Sequence, residues 1–284
     1  MAYFEERSDL LINGIKCSAG IRKDYNYSAH WHRECEITCV VNGQIDLWIN
    51  SYLYHLQPGD IVFCPGGYIH YGHSISEKST MLIMLFHPDL IEPLYKSDEL
   101  RTMYIDAGMR LNSKENQNAV NEIESCIFLI LNELIGKKAE YIGVIQGKVL
   151  VMTSLLKRLF PVAVRKEGSE LPYTSLVMMQ KALSYIDSRF RDDISLEEVA
   201  GRLAVSSCYL SRMFPRITGQ TFKDYLAQKR IEYAVNLIHN TDMTILDIAL
   251  DSGFNSIRTF NRCFKAVTGE IPTAERRHGK KERN

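Results

Sequence analysis

The chain has 284 residues, of which 45% are hydrophobic and 24% charged, a balance typical of a globular protein with two domains of ordinary size. No apolar stretch approaches the length of a membrane span, and the polar, acidic N-terminus does not look like a signal peptide. The seven cysteines are scattered and form no C-x-x-C pair, which argues against a disulfide framework and a zinc finger. We therefore expect a cytoplasmic protein with no membrane partner.

The net charge is zero, but the charges are unevenly distributed along the chain. Residues 174–284 contain 17 Lys and Arg against 13 Asp and Glu, whereas the remainder contains 17 against 21. A basic C-terminal half and an acidic N-terminal half predict that nucleic acid is contacted by the C-terminal half.

The stretch from about residue 15 to residue 90 has the pattern of short β-strands. A strand over 36–41 is followed by Asn42-Gly43, which favours a hairpin turn, and by an alternating segment over 45–50. A buried-type strand over 61–64 ends at a Pro-Gly-Gly segment. Several short strands at this spacing predict an antiparallel barrel or sandwich.

From about residue 117 the hydrophobic period changes to that of helices. Two apolar helices are predicted, the second running from about 139 to 160, and they favour core packing and a homodimer interface about equally. Residues 161–173 are bounded by prolines and are predicted to be a linker. The predicted domains are therefore residues 1–160 and residues 174–284.

The C-terminal half contains one pattern twice, in residues 195–219 and 245–269, and each copy fits a helix-turn-helix motif. The periodic segment between the copies, 221–239, predicts a helix of roughly 28 Å. Together with the widths of the flanking helices, such a spacer would place the two recognition helices about 34 Å apart, which is one turn of DNA. At an offset of 50 residues the copies share Leu196 and Leu246, Ser206 and Ser256, Arg212 and Arg262, Phe214 and Phe264, Thr218 and Thr268, and Gly219 and Gly269.

The fold class predicted from these patterns is α+β. It combines an N-terminal antiparallel β-barrel and two following helices with an all-α C-terminal domain, in which a long helix joins two helix-turn-helix motifs.

In the second copy, Gly253 is predicted to supply the positive φ of the turn, and Asn255 or Ser256 to cap the recognition helix. Phe260 and Phe264 are predicted to face the core. Outward residues can then read bases, because Arg pairs with guanine, Asn pairs with adenine and Ile packs on a thymine methyl. The predicted DNA contacts of this copy are Asn255, Ser256, Ile257, Arg258, Asn261 and Arg262.

The first copy matches the motif less well. Ala204 takes the place of the turn glycine, which predicts a different type of turn, and Ser206 is the predicted cap. Pro215 is predicted to limit the end of the recognition helix. We expect this copy to read fewer bases, through Ser207, Cys208, Ser211 and Arg212.

About 100 residues of the C-terminal half resemble the DNA-binding domain of the AraC/XylS family of transcription regulators. The resemblance rests on the pattern Gly253-Phe-Asn-Ser-x5-Arg262-x-Phe264-Lys265-x2-Thr268-Gly269-x2-Pro272, which ends in Arg276-Arg277. It implies binding to promoter DNA and contact with RNA polymerase.

The N-terminal half resembles a cupin, because His30-x-His32-x3-Glu36-x6-Gly43 is followed by Gly59-x5-Pro65-x-Gly67-x2-His70. The shared even parity of His30, His32 and Glu36 predicts that one strand face presents them inward, with His70 on a separate strand. Three histidines and a carboxylate could hold a divalent metal such as Mn, Fe, Ni or Zn. The resemblance to AraC-like regulators instead implies an effector site without metal, so no cofactor is expected and the metal centre is the alternative. The predicted effector-binding residues are His30, His32, Glu36, Trp48, Tyr68 and His70.

Together these patterns predict a homodimeric, non-enzymatic transcription activator that responds to a small-molecule effector. A sugar, and an operon of carbohydrate metabolism, are the best single expectations. Two alternatives stay open: a metal-dependent cupin dioxygenase or isomerase with a DNA-binding tail, and a dimeric regulator without an effector.

Overall fold

The computed structural model of the chain describes residues 16–50, 52–90, 114–159 and 173–281. The chain divides into two compact units, Glu5–Pro172 and a unit formed mainly by Tyr173–Asn284. The predicted linker, 161–173, lies outside the described residues except for Tyr173, which begins a helix. No helix in the described ranges is long and apolar enough to cross a membrane.

The described part of the N-terminal unit contains eight strands in two antiparallel sheets. One sheet has the order β1-β8-β3-β6 and the other has the order β2-β7-β4-β5. A short 3₁₀ helix, Pro88–Leu90, follows the last strand. The strands are β1 Cys17–Lys23, β2 Asn26–His30, β3 Cys35–Asn42, β4 Ile45–Ile49, β5 Tyr52–Leu56, β6 Ile61–Cys64, β7 His70–Ser74 and β8 Thr80–Phe86.

The Asn42-Gly43 turn does not close a hairpin, so that prediction is wrong. Gly43 has the expected positive φ of 82°, but β3 and β4 belong to different sheets and do not pair. A Cβ on Gly43 would lie 2.7 Å from atoms of Ser76 and Ser79. The glycine therefore allows the chain to pass close to these two serines. The hairpin in this region is β4–β5, where Asn50 has a φ of 52°.

The β1-β8-β3-β6 sheet is buried on both faces, which explains the nearly continuous burial of β3 and β8. Ile37, Phe63 and Met84 lie on its outer face and pack against two antiparallel helices, α1 (Lys114–Gly136) and α2 (Tyr141–Leu159). The opposite face meets the inner face of the second sheet, where residues such as Leu47 and Val62 form the barrel core. Burial raises the pKa of the Cys17 and Cys35 thiols to about 12, which suits their place in the core.

The C-terminal unit is helical throughout its described residues, and the predicted α+β fold class is confirmed. Both motifs and the long helix between them form as predicted, with one helix before them and one after. Thr221 caps the long helix by accepting a hydrogen bond from the Asp224 amide at 3.2 Å. The helices are α3 Tyr173–Arg189, α4 Leu196–Arg202, α5 Ser207–Thr218, α6 Phe222–Asn240, α7 Ile245–Asp251, α8 Ile257–Thr268 and α9 Pro272–Lys281.

Candidate functional site

The turns of the two helix-turn-helix motifs have the same conformation. Ala204 and Gly253 both have positive φ, 54° and 83°. The amide of the next residue donates to a carbonyl in the preceding helix in both copies, from Val205 to Ala200 at 3.1 Å and from Phe254 to Ala249 at 3.0 Å. The predicted difference in turn type is therefore wrong: the alanine adopts the left-handed conformation despite its steric cost of roughly 1–2 kcal/mol.

The two copies differ by one residue between the turn and the recognition helix. The first helices, α4 and α7, are related by an offset of 49, whereas the recognition helices, α5 and α8, are related by 50. Asn255 is the additional residue in the second copy, placed between Phe254 and the N-cap Ser256. Consequently Leu196 corresponds to Ile245 and not to Leu246.

The N-caps of the two recognition helices also differ. The Ser206 hydroxyl accepts a hydrogen bond from the Tyr209 amide at 3.1 Å, as predicted. Ser256 occupies the N-cap position of α8, but its side chain makes no capping hydrogen bond. The first amides of α8 and the Ser256 hydroxyl can therefore donate hydrogen bonds to a phosphate oxygen, the kind of ligand that helix N-termini bind.

The second recognition helix, α8, has a clear inner and outer face. Phe260 and Phe264 are fully buried against α6 and α7, as predicted. Every residue predicted to contact DNA from this copy is exposed, namely Asn255, Ser256, Ile257, Arg258, Asn261 and Arg262.

The first recognition helix, α5, presents fewer groups that can read bases. Cys208, Ser211 and Arg212 are exposed and Ser207 is half-buried, while the inward residues Leu210, Met213 and Phe214 are buried. Pro215 does not shorten the helix, which continues to Thr218 and ends at Gly219 with a φ of 72°. The helix tolerates this proline because the amide it lacks would have paired with the carbonyl of Ser211, an exposed residue whose carbonyl water can reach.

A polar network that the sequence analysis missed fixes the second motif to the rest of the unit. Arg191 donates to the backbone carbonyl and the carboxylate of Asp251, and the Tyr233 hydroxyl donates to the same carboxylate at 2.9 Å. Arg230 donates to the carbonyls of Phe190 and Asp192, both at 2.7 Å. Since these groups link the segment after α3 with α6 and α7, they help to set the relative position of the two recognition helices.

The predicted barrel residues meet in a buried cluster, although not on one strand. His30 lies opposite His70 in the β2–β7 pairing, with ring centroids 4.2 Å apart. His32 lies in the connection 31–34, and Glu36 lies in β3 of the other sheet. The single strand face predicted from parity is therefore wrong, because the chain changes sheets between His30 and Glu36. The junction of the two sheets nevertheless brings all four residues together.

Each histidine ring of this cluster is oriented by the backbone. The Nδ1 atoms of His30, His32 and His70 lie 2.8–2.9 Å from carbonyl oxygens two residues away, which belong to Ser28, Glu34 and Tyr68. A carbonyl oxygen only accepts, so each Nδ1 carries the hydrogen, and each Nε2 of a neutral ring is an acceptor. The Nε2 atoms of His32 and His70 lie 3.4 and 3.5 Å from the same Glu36 oxygen, Oε2.

The cluster favours a carboxylate at Glu36. Burial opposes its ionisation, but the contacts with His32 and His70 outweigh burial and hold the pKa of Glu36 well below its usual range. Burial lowers the pKa of His30 well below its usual range, and the neighbouring His70 and His32 lower it further. Burial opposes protonation of His70 as well, but the nearby Cys64 and Glu36 raise its pKa well above the usual range. The raised pKa of His70 and the lowered pKa of Glu36 indicate a buried ion pair between the His70 imidazolium and the Glu36 carboxylate.

Of the two aromatic residues predicted for the effector site, Tyr68 lies next to the histidine cluster and Trp48 does not. Tyr68 is half-buried and packs against the barrel core, and its carbonyl orients His70. Trp48 lies on the outer face of β4, stacked on Tyr71 with ring centroids 5.0 Å apart and 3° between the planes. The structure thus does not bring Trp48 together with the histidines. The residues of β4 that face inward are Ile45, Leu47 and Ile49.

Comparisons with known proteins match both halves of the chain. The family of AraC-like ligand binding domains matches residues 14–136, and the family of helix-turn-helix domains matches residues 199–278. Regulatory protein SoxS of Escherichia coli (strain K12) is 33% identical over 96 residues, which are 34% of this chain and 90% of SoxS. An uncharacterized HTH-type transcriptional regulator of Staphylococcus aureus (strain MSSA476) is 37% identical over 94 residues, which are 33% of this chain and 13% of that protein.

A solved structure has a fold similar to that of most of this chain. A crystal structure of ToxT from Vibrio cholerae O395 matches 92% of this chain and 98% of its own, with a TM-score of 0.50 and 16% identity. At this identity the likeness concerns the fold alone. The relatives reported above are transcription regulators, and this favours a regulator over the enzymatic alternative.

Proposed function

This chain belongs to the AraC family of transcription regulators, and on that premise we propose that it activates a metabolic operon in the cytoplasm in response to a small molecule. It is a DNA-binding regulator with a ligand-binding domain. The observation that carries the proposal is the pair of helix-turn-helix motifs with outward polar side chains. RNA polymerase is the proposed protein partner, and an operon of carbohydrate metabolism the proposed target.

The chemistry of the exposed recognition faces supports base reading by both motifs. Among the described residues, the guanidinium groups of Arg212, Arg258 and Arg262 form no ion pair or hydrogen bond, so they are available to a ligand. Free guanidinium groups on the exposed face of a recognition helix suit guanine O6 and N7, and Asn261 on the same face of α8 suits adenine. The second motif offers more of these groups than the first, which supports unequal shares of specificity.

Selection of duplexes from a random DNA pool with the full chain tests this function. We expect one enriched sequence, bound at least about 10³-fold more tightly than unselected DNA at physiological salt. Equal affinity for selected and unselected duplexes at the same salt concentration would contradict sequence-specific regulation.

Homodimerisation through α1 and α2 is part of the proposal. These helices bury one face against the sheet but leave apolar side chains exposed on the other, at seven-residue spacing: Phe128 and Ile135 in α1, and Val144 and Val151 in α2. Ile135 is 73% exposed. A second copy of the same surface is the proposed occupant, because a seven-residue apolar stripe suits helix–helix packing between identical subunits.

Replacing Ile135 by aspartate is therefore expected to weaken the dimer at least 10-fold, about 1.4 kcal/mol, because a carboxylate would be desolvated at the interface. Sedimentation velocity over a concentration series measures this change. The matched control is Ile75→Asp, at an apolar side chain of the barrel that is 53% exposed, and it should leave the association unchanged. An Ile135→Asp variant that associates like the wild type argues against this interface.

The effector is proposed to bind inside the barrel, at the cluster formed by His30, His32, Glu36 and His70. The cluster supports this assignment because it offers buried polar groups at the junction of two sheets, in an otherwise apolar interior. A sugar is the proposed class of effector. A thermal-shift screen of sugars and organic acids distinguishes this from the effector-independent alternative, since a specific ligand raises the melting temperature and a regulator without an effector gives no hit.

A further inference from the structure

We propose that a cleft in the first helix-turn-helix motif binds a small, uncharged ring molecule that carries a carbonyl or hydroxyl oxygen. The cleft is lined by the start of α3, by the turn after α4 and by the first turn of α5. All of its lining residues belong to the C-terminal unit. Its volume is about 480 Å³, which is within the range of small-molecule binding sites.

The apolar part of the cleft suits a ring and not an ion. Met178 of α3 and Leu203 and Val205 of the turn contribute this part, and all three residues are half-buried. None of the residues that line the cleft carries a charge. A charged ligand would lose hydration there without gaining an ionic partner, whereas a ring would remove apolar surface from water.

The polar part of the cleft supplies hydrogen-bond donors. The hydroxyl groups that line it belong to Thr174, Ser175, Ser206 and Tyr209. Ser175 is only 5% exposed, and its Oγ shares a hydrogen bond of 3.0 Å with the Tyr209 hydroxyl. Two hydroxyl groups bring two hydrogens to this single bond, so one hydrogen has no acceptor among the described residues. The Ser206 oxygen accepts from the Tyr209 amide at 3.1 Å, which leaves its own hydrogen available too.

These donors determine which group the ligand needs. A carbonyl or hydroxyl oxygen placed beside Ser175 and Tyr209 would accept the remaining hydrogen in place of water. A ligand with only apolar atoms would cover the donors without satisfying them, which costs free energy. The cleft therefore selects a ring with at least one oxygen acceptor over a hydrocarbon ring.

The position of the cleft links it to DNA reading. The Ser175–Tyr209 hydrogen bond connects α3 directly with the recognition helix α5, whose outward residues include Cys208 and Arg212. A ligand that contacts both helices changes how α5 is held, so its affinity should differ between the free chain and the DNA complex. This coupling rests on the proposed function, whereas binding of the ligand does not.

Titration of the full chain with acetophenone, followed by NMR of ¹³C-labelled methionine methyl groups, tests the site. Acetophenone has one aromatic ring and one carbonyl oxygen, and ethylbenzene is the matched probe without the oxygen. We expect acetophenone to shift the methyl signal of Met178, assigned through Met178→Leu, with a dissociation constant on the order of 1 mM. The signal of Met152, which is buried in the N-terminal unit, should not move.

Two variants test the walls and the donors of the cleft separately. Val205→Phe places a larger side chain in the cleft and should abolish the shift of Met178 by both probes. Ser175→Ala combined with Tyr209→Phe removes the paired hydroxyls, and the ratio of the affinities for acetophenone and ethylbenzene should fall roughly 2- to 12-fold. Tyr141→Phe is the matched control, because it removes a hydroxyl from α2 instead, and it should leave this ratio unchanged.

An acetophenone titration that leaves the Met178 signal of the wild type in place overturns the site, as does a shift that persists in Val205→Phe. An unchanged affinity ratio in the double variant overturns the selection of an oxygen acceptor. If Val205→Phe fails to fold, the double variant still decides, because its changes remove only two oxygen atoms.

The DNA arm of the test separates this site from the proposed function. Acetophenone affinities that are equal with and without the selected duplex overturn the coupling to DNA reading. A chain that selects DNA but does not bind acetophenone overturns the cleft alone, and a chain that binds acetophenone but selects no DNA overturns the regulatory function alone.

Discussion

Replacing Gly253 by alanine is expected to lower the free energy of unfolding of the C-terminal unit by about 2–4 kcal/mol. The turn holds this residue at a φ of 83°, and a Cβ built there would lie 2.6 Å from the carbonyl oxygen of Arg191. Backbone strain and a clash with backbone therefore act together. Urea unfolding followed by the helical circular dichroism signal measures the loss.

The other copy of the motif supplies the control for this prediction. Ala204 already has a φ of 54° in the equivalent turn, so Ala204→Gly relieves strain but adds freedom to the unfolded chain. These effects oppose each other, and we expect a change of less than about 1 kcal/mol. Equal stabilities of Gly253→Ala and the wild type would mean that the close approach to Arg191 is not a constraint of the fold.

Replacing Arg262 by alanine is expected to weaken binding to the selected DNA by about 1–3 kcal/mol, roughly 5- to 150-fold. Arg262 is exposed on α8, one helical turn after Arg258. Its guanidinium forms no ion pair or hydrogen bond with the described residues. Loss of a base contact should also relax the sequence preference at one position of the site. Fluorescence anisotropy at fixed salt, with the selected duplex and single-base variants of it, measures both effects.

Two further variants decide whether the loss is specific. Lys181→Ala removes one positive charge from an exposed position of α3, outside both motifs, and should change the affinity by less than about 0.5 kcal/mol. Arg212→Ala tests the first recognition helix, and we expect a smaller effect than at Arg262 because α5 presents fewer base-reading groups. An Arg262→Ala variant that binds like Lys181→Ala would remove Arg262 from the interface.

The helical half could be predicted largely from the sequence, because its signals are local. The four-residue spacing of Phe260 and Phe264 identifies the inner face of α8, and the structure buries both. Helix starts at Ser195, Ser206 and Thr221 follow from capping chemistry that acts within three residues. The one-residue difference between the copies was missed, because an alignment without gaps cannot place an insertion such as Asn255.

The barrel was less predictable, because its pairings connect distant residues. Asn42-Gly43 has the same local conformation whether the next strand pairs with β3 or joins the other sheet, so the dipeptide cannot distinguish the two. Parity likewise places His30 and Glu36 on one face only while the strand continues, and the chain changes sheets between them. The four residues of the motifs still lie together in the structure, since the motif spacing does not depend on which sheet each strand enters.

The orientation of the histidine rings lay beyond sequence reasoning altogether. The spacing of His32 and His70 identifies potential ligands, but only the positions of the Glu34 and Tyr68 carbonyls determine that each Nε2 lies toward Glu36. The outward direction of Trp48 follows from the register of β4 with β7, where it lies opposite Tyr71. The direction of Trp48 removes that residue from the proposed effector site.

The most direct test of a regulator that reads DNA with two motifs of one chain is the spacing of its binding site. The spacer helix α6 predicts two half-sites about one turn of DNA apart, on the same face. Inserting about 5 base pairs between the half-sites of the selected duplex turns one of them to the opposite face. We predict that this insertion lowers the affinity nearly to that of the stronger half-site alone, whereas unchanged affinity would show that only one recognition helix reads DNA.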